Sequence, residues 1–320
     1  MNNETTPNAD AVVAPLSAYE QDRLATLFAN WAAIAGRDNI LPPPSPHAFR
    51  LLSLDREADS IPRDLAEIIQ SDSILAARVL GVANSALYTR GGKPLYDAKS
   101  AVLRLGVNLA FEVSEAQLIG KWFKEDAPKI DHDLLQGLWL EYLITGFFGR
   151  EIATVLDDAV VDPMLVYAGG MLHDVGTLVL CGAEPALMAR FIRNDYARGT
   201  PLNSAFVQAH TRIGSAMLHR WGAPKELVHC AQRHHATLDA DEPKSTLIVF
   251  IADHLHDLLL ADERVTLALP GGYKPGCAGP ITPEVGAAMQ TLGIEDQFDA
   301  ILDKVVKASS RLEDLLSGAD

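Results

Sequence analysis

The chain has 320 residues, of which 48% are hydrophobic and 22% charged, so it can bury the core of one large domain or two ordinary ones. Its 42 acidic residues outnumber its 27 basic residues and give a net charge of −15. Because proteins that bind nucleic acid non-specifically neutralise phosphates with basic patches, this balance argues against nucleic acid as a partner.

The cysteines and the apolar runs indicate where the protein resides. Cys181, Cys230 and Cys277 are far apart, with no CxxC spacing, which excludes a disulfide framework or a zinc finger and favours a reducing cytoplasm. The first five residues lack the basic and apolar regions of a signal peptide. No run approaches the roughly 18 uncharged apolar residues that span a membrane, so we expect no membrane segment.

The N-terminal part of the chain divides into a tail, a helix and a connector. Residues 1–15 are polar and without periodicity, which predicts a disordered tail. Between residues 16 and 35 apolar side chains recur at helical spacing, which predicts an amphipathic helix that stops near Gly36. Four prolines between residues 42 and 46 then predict an extended connector. Residues 16–40 are therefore assigned to an N-terminal helix and linker.

The rest of the chain shows helical periodicity. Three shorter helical patterns precede a loop at residues 84–97, where Asn84 and Ser85 favour caps and turns and leave a role in recognition open. No alternating run is long enough to predict a sheet, so the predicted fold class is all-α. Longer helical patterns cover roughly residues 98–106, 108–124, 132–156, 162–175, 184–197, 202–220, 224–235 and 243–260.

The C-terminal part, residues 261–320, is predicted to hold a loop and two helices. Glycines and prolines are dense at 267–282, and helical patterns follow at about 283–292 and 295–316. The last pattern has an apolar stripe that we expect to pack on the chain's own core. A homodimer formed through this stripe stays an alternative.

The residues that carry chemistry centre on His173-Asp174, which interrupts an apolar run between Met171 and Gly176. Both side chains need water or a partner, so their burial is costly unless they are paired. A buried hydrogen-bonded His173–Asp174 pair is one interpretation. The other is a metal site completed by later residues, namely His210, His234, His235 and Asp253.

Several segments resemble the HDOD proteins, the HD-related output domain class of the HD superfamily. The resemblance covers roughly residues 41–256, and we assign residues 41–260 to this domain. It implies an HD-superfamily-like helical bundle with N- and C-terminal helical extensions, and a role in bacterial signalling more often than demonstrated catalysis. The matching segments are 41–43, 65–72, 79–88, 98–106, 170–176 and 210–235.

The resemblance also implies a set of metal ligands, namely Glu141, His173, Asp174, His210, His234, His235 and Asp253. Glu141 stands where the family has a histidine, and its added negative charge favours Mn, Mg or Fe. Thr177 stands where active relatives often carry a lysine that could meet a phosphate. The sequence after His235 lacks the motif of HD-GYP phosphodiesterases, which disfavours cyclic-di-GMP hydrolysis of that kind.

These features predict a non-catalytic cytoplasmic regulator that acts through its HDOD domain on a signalling protein partner, of GGDEF/EAL or kinase type. The alternative is a metal-dependent phosphohydrolase or phosphodiesterase acting on a nucleotide or cyclic dinucleotide. A third interpretation is a scaffold whose metal ion is structural only, which predicts a lower melting temperature on chelation and no turnover.

Overall fold

A computed structural model of the protein describes residues 14–37, 40–52, 54, 58–89, 91–126, 130–156, 161–236, 241–261 and 281–306. Within these ranges all regular structure is helical, which confirms the predicted all-α class. Most of the predicted tail, the glycine- and proline-rich loop before residue 281 and the chain after residue 306 lie outside the described residues.

Sixteen helices can be given both ends in this part of the chain, and residues 298–306 form a further helical stretch. The helices are α1 Ala18–Ala29, α2 Trp31–Ala35, α3 Pro46–Leu52, α4 Ile61–Ser71, α5 Ser73–Asn84, α6 Ala86–Thr89, α7 Ala98–Leu105, α8 Val107–Asp126, α9 His132–Leu156, α10 Pro163–Leu172, α11 Val175–Ala183, α12 Pro185–Arg193, α13 Pro201–Arg220, α14 Lys225–Arg233, α15 Lys244–Ala261 and α16 Pro283–Leu292.

Local sequence explains where many of these helices begin. Several helices are preceded by a residue whose side-chain oxygen accepts a backbone N–H of the first turn. Among these residues are Asp72 for α5, Asp97 for α7, Asp162 for α10 and Thr200 for α13. Proline occupies the first or second position of α10 and α13, where its missing N–H costs nothing. The starts of these four helices are therefore stabilised by short-range chemistry.

The helices surround one continuous hydrophobic core that extends from Leu24 on α1 to Val306 near the end of the described chain. α10 lies in the middle, against α9, α14 and α15, and α11 packs on α13. α4, α5, α7 and α8 form a neighbouring group, while α1 and α2 pack on α13. The N-terminal helices are thus part of the same packed body as the domain that follows.

Two glycines allow unusually close helix contacts next to the His173-Asp174 turn. A Cβ atom on Gly170 would lie 2.4 Å from Cα of Gly146, so α10 rests directly on the backbone of α9. A Cβ atom on Gly176 would lie 1.9 Å from the carbonyl oxygen of His210, so α11 touches the backbone of α13. Only a glycine fits at either contact, and the second one brings His210 towards the turn.

The α11 helix is the main difference from the predicted elements. The periodicity predicts helices at 162–175 and 184–197 and assigns none between them, whereas the chain turns at His173-Asp174 and forms α11 at Val175–Ala183. Every residue from Val175 to Cys181 is buried. A helix that is apolar on all sides has no polar face, so hydrophobic periodicity does not reveal it.

The apolar stretch Pro163–Ala183, which spans α10 and α11, is long and apolar enough to cross a membrane. It is also 94% buried inside the protein. Because its apolar surface is already covered by other helices, it is the central core element of the bundle.

Candidate metal centre

The His173-Asp174 pair occupies the sharp turn between α10 and α11, in the middle of the core. Facing it are His210 on α13, His234 and His235 at the end of α14, and Asp253 on α15. The side chains of His173 and His210 are 4% and 0% exposed, and those of Asp174 and Asp253 are 14% and 16% exposed. The bundle therefore gathers imidazoles and carboxylates from four separate parts of the chain.

Hydroxyl groups hold Asp174 in place. The Thr177 hydroxyl donates to Oδ1 of Asp174 at 2.8 Å, and the Tyr142 hydroxyl donates to the backbone oxygen at 2.9 Å and to Oδ2 at 3.3 Å. Nε2 of His210 lies 3.3 Å from Oδ1. Burial raises the pKa of Asp174 to about 6. The carboxylate is thus oriented by its own helix and by α9, with Oδ1 turned towards the histidines.

His173 is paired with the other acid of the set. Its Nδ1 lies 2.7 Å from the carbonyl oxygen of Gly170, and its Nε2 lies 3.1 Å from Oδ1 of Asp253. A carbonyl oxygen only accepts, so Nδ1 carries a proton. Burial raises the pKa of Asp253, but the facing His173 outweighs it and holds that pKa well below its usual value. The imidazole is therefore held by Asp253, and the predicted hydrogen-bonded pair of His173 with Asp174 is not what forms.

His210 and His234 face each other through their Nε2 atoms, 3.2 Å apart. Nδ1 of His210 donates to the Phe206 carbonyl at 2.9 Å, and Nδ1 of His234 donates to the Ala231 carbonyl at 3.1 Å. Burial lowers the pKa of His210 to about 4 and that of His234 well below its usual value, so both rings are neutral near pH 7. With both Nδ1 atoms donating to carbonyls, the two Nε2 lone pairs point at each other, an arrangement that a shared cation would satisfy.

The donor atoms fit a metal ion in spacing and in kind. Ligands about 2.1 Å from one ion and at right angles lie about 3 Å apart. Three pairs of donor atoms have similar separations, namely His173–Asp253 at 3.1 Å, His210–His234 at 3.2 Å and His210–Asp174 at 3.3 Å. The donor atoms of His210, His234 and the exposed His235 all lie within 4.8 Å of one another. In metal sites, a backbone carbonyl commonly fixes the second ring nitrogen, as it does here.

Six of the seven predicted metal ligands lie around the His173-Asp174 turn. Ligation by any of them, and by the seventh, Glu141, stays a prediction. Glu141 is half-buried on α9, directly before Tyr142, and its negative charge helps to raise the pKa of that phenol. The contacts given above link Asp174 to Tyr142 rather than to Glu141.

Sequence reasoning did not assign a role to Tyr142, whose side chain is buried and whose ring packs edge-on against His173. The sequence indicates only that Thr177 replaces a lysine, whereas the structure shows that its hydroxyl donates to Asp174 and positions that carboxylate. A hydroxyl three residues after an acid at a helix start was the available signal for Thr177. Tyr142 lies 32 positions from Asp174, and no local pattern connects the two.

Comparison with known proteins places the chain in a family. The HDOD domain model matches residues 41–237, more than half of the chain. A protein of Treponema pallidum (strain Nichols) is 27% identical over 234 residues, which cover 69% of this chain and 42% of that protein. The chain thus matches less than half the length of this curated relative.

Solved structures share the fold. An HDOD domain protein of unknown function from Geobacter sulfurreducens superposes with a TM-score of 0.63 at 21% identity, covering 91% of this chain and 98% of the other. A candidate phosphohydrolase from Shewanella amazonensis SB2B gives a TM-score of 0.62 at 18% identity, covering 92% and 98%. A candidate signal transduction protein from Marinobacter aquaeolei VT8 gives 0.61 at 19% identity, covering 94% and 66%. The chain belongs to the HDOD domain family.

Proposed function

We propose that this protein is a non-catalytic, cytosolic signal-transduction protein that binds a divalent metal ion in its core and regulates a signalling protein by direct contact. The HDOD domain supports a regulatory role, and one of the structural neighbours is described as a candidate signal transduction protein. The metal centre is the part of the proposal that rests on geometry.

One observation carries the non-catalytic part, namely the Thr177 hydroxyl bonded to Asp174 at 2.8 Å. In active HD enzymes, to which the motif is similar, a lysine at this position offers a positive charge to phosphate. Here the side chain is fully buried and serves Asp174 instead. The ligands are buried too, apart from the exposed His235 and small fractions of the two acids. A phosphate ester would meet few open ligand positions and no lysine at position 177.

We assign the ion to His173, Asp174, His210, His234, His235 and Asp253, with Glu141 as a further ligand still to be tested. Of the ions favoured by the sequence, Fe suits a site with four imidazoles better than Mg, which prefers oxygen ligands. Once bound, the ion would supply positive charge at the meeting point of α10, α11, α13, α14 and α15. The residues themselves would fix its position through the carbonyl-anchored imidazoles.

The second candidate function is a metal-dependent phosphohydrolase for a nucleotide or cyclic dinucleotide. It is favoured by the exposure of His235 at the edge of the cluster, since this edge is where a phosphate could approach a bound ion. A Shewanella amazonensis neighbour is described as a candidate metal-dependent phosphohydrolase. A divalent ion would supply charge stabilisation for phosphate at such a site.

Turnover separates the two functions. The protein is purified without chelator, loaded with Mn or Fe, and assayed with bis-p-nitrophenyl phosphate and with cyclic dinucleotides. We expect rates no higher than those of the Asp174→Ala and His173→Ala variants. Turnover that depends on both residues would overturn the non-catalytic proposal and establish the phosphohydrolase.

A further inference from the structure

A short stretch of the α4–α8 group exposes large apolar side chains to solvent. Leu87 on α6, Tyr96 before α7 and Leu103 on α7 are 55%, 85% and 69% exposed. In the described residues they make up half of the large hydrophobic side chains that are exposed, and they fall within 17 positions of sequence. Single exposed apolar residues are ordinary, but several together mark a contact surface.

Two polar side chains bring the three segments together. The side-chain amide of Asn84 bonds the carbonyl oxygen of Leu95 at 2.9 Å and accepts from its N–H at 2.8 Å. Arg104 donates to the Ala83 carbonyl at 3.2 Å and to the Lys93 carbonyl at 2.8 Å. The three exposed side chains are close in sequence to these hydrogen-bonded residues, since Leu87, Tyr96 and Leu103 each lie within three residues of one of them. All three therefore belong to one stretch of chain, residues 84–104, whose segments are tied to one another by hydrogen bonds.

This region is basic although the whole chain is acidic. Lys93 and Lys99 are exposed and Arg104 is half-exposed. The nearby Asp97 is exposed and negatively charged, and its carboxylate caps α7 by accepting the N–H of Ser100 at 2.8 Å. The described residues of this stretch thus carry three cations and one anion. Lys99 and Leu103 are four positions apart on α7, so a cation and an apolar side chain share one helix face. We call these residues, Leu87, Lys93, Tyr96, Lys99, Leu103 and Arg104, the apolar–basic patch.

We propose that the apolar–basic patch is the docking site for an acidic protein segment that carries apolar side chains. This inference rests on the proposed regulatory function and names the surface through which it acts. Charge complementarity selects the partner, because the cations attract carboxylates while the exposed leucines and tyrosine accept apolar anchors.

The charge of the rest of the molecule argues against other ligands of negative charge. A nucleic acid or an anionic membrane extends well beyond the patch and would meet the surface of a chain with net charge −15. A short acidic peptide needs to neutralise only the local cations. A protein segment is therefore the ligand class that fits both the patch and its surroundings.

A random peptide library with inserts of about 16 residues, panned against the 320-residue chain, tests the proposal. We expect the selected peptides to be rich in Asp and Glu and to contain Leu or aromatic residues. Their Kd should weaken at least about tenfold in Leu103→Asp and in Lys99→Glu. The Tyr96→Ala variant should also bind more weakly. Tyr19→Ala is the matched control, since Tyr19 is 69% exposed but lies on α1.

Selection of no peptide, or of basic or neutral peptides, would overturn the proposal, as would equal binding by all the variants. Patch-dependent binding of a dT oligonucleotide, of phosphatidylserine vesicles or of a second copy of the chain would also overturn it, by assigning the patch to that ligand. None of these outcomes affects the turnover assay, so failure of the docking site and failure of the non-catalytic function are distinguishable.

Discussion

At the scale of single residues, the geometry of the site is set by hydroxyl and carbonyl groups that orient the proposed ligands. The Thr177 and Tyr142 hydroxyls orient Asp174, and backbone carbonyls fix the proton on Nδ1 of His173, His210 and His234. The resemblance to HDOD proteins predicted which histidines and aspartates gather at this site, and their role as metal ligands stays a prediction. Tyr142 was not predictable, because its contact with Asp174 joins helices that become neighbours only in the folded bundle.

Thr177→Val tests the role of the hydroxyl. Valine keeps the shape of the side chain but leaves Oδ1 of Asp174 without this donor. We expect metal affinity to fall about 10- to 100-fold, as is usual when a group that orients a ligand is lost. Competition with a chromophoric chelator measures the affinity. Thr154→Val is the control, since that hydroxyl donates to the Arg150 carbonyl on its own helix. Unchanged affinity in Thr177→Val would contradict the assigned role.

Gly176→Ala tests the contact between α11 and α13. The added methyl group would lie 1.9 Å from the His210 carbonyl oxygen, so the helices must move apart. We expect a loss of about 3 kcal/mol or more in the free energy of unfolding, measured by urea denaturation. Gly81→Ala on α5 is the matched control. It has no atom within 4 Å of the new Cβ, and it should gain about 0.5–1 kcal/mol. Similar effects at both positions would exclude the close contact.

At the scale of elements, the sequence predicts that the chain is helical, but it does not predict where some of the helices begin and end. The predicted single helix at 16–35 is α1 and α2, with a break at Asn30, and α11 was missed. In both cases the helices that differ from the prediction are packed against other helices. α2 contacts α13 and α11, and α11 is buried on all sides. Periodicity reports an amphipathic surface helix and is silent on a helix enclosed by others.

The attachment of α1 to α12 should depend on pH. Arg190 donates to Oε1 of Glu20 at 3.1 Å, and this bond, together with bonds from the Ser17 backbone N–H and hydroxyl, lowers the pKa of Glu20 to about 2. A carboxyl whose pKa is lower in the folded state adds stability above its unfolded pKa of 4.5, and this stability is lost as the pH falls towards 2. Glu20→Gln should therefore be less stable than wild type at pH 7, and the difference should shrink near about pH 3. Urea midpoints at both pH values measure it. An equal difference at both would contradict the ion pair.

At the scale of the whole molecule, the proposed metal centre joins parts of the chain that are far apart in sequence. His173 and Asp253 are 80 positions apart, and His210 and His234 are 24 apart. A bound ion would therefore cross-link α10, α11, α13, α14 and α15 at the middle of one continuous core. Stability and metal binding should be coupled throughout the bundle, because the ligands converge only in the folded state.

Removal of the ion tests this coupling. An ion present at about 100 times its Kd adds about 2.7 kcal/mol to stability. In a domain of this size EDTA should then lower the melting temperature by about 5 °C or more, as measured by circular dichroism. The His210→Ala/His234→Ala variant, already without these ligands, should show no such shift. An equal shift in the variant would show that EDTA does not act by removing an ion from this cluster.

Metal content measured by inductively coupled plasma mass spectrometry tests the central claim most directly. Wild-type protein purified without chelator should carry about one or more divalent transition-metal ions per chain. The His219→Ala control, altered at an exposed histidine on α13, should carry the same amount. The His210→Ala/His234→Ala variant, with its helical content intact, should carry close to none. Equal metal content in the wild type and the double variant would contradict a metal centre at this cluster.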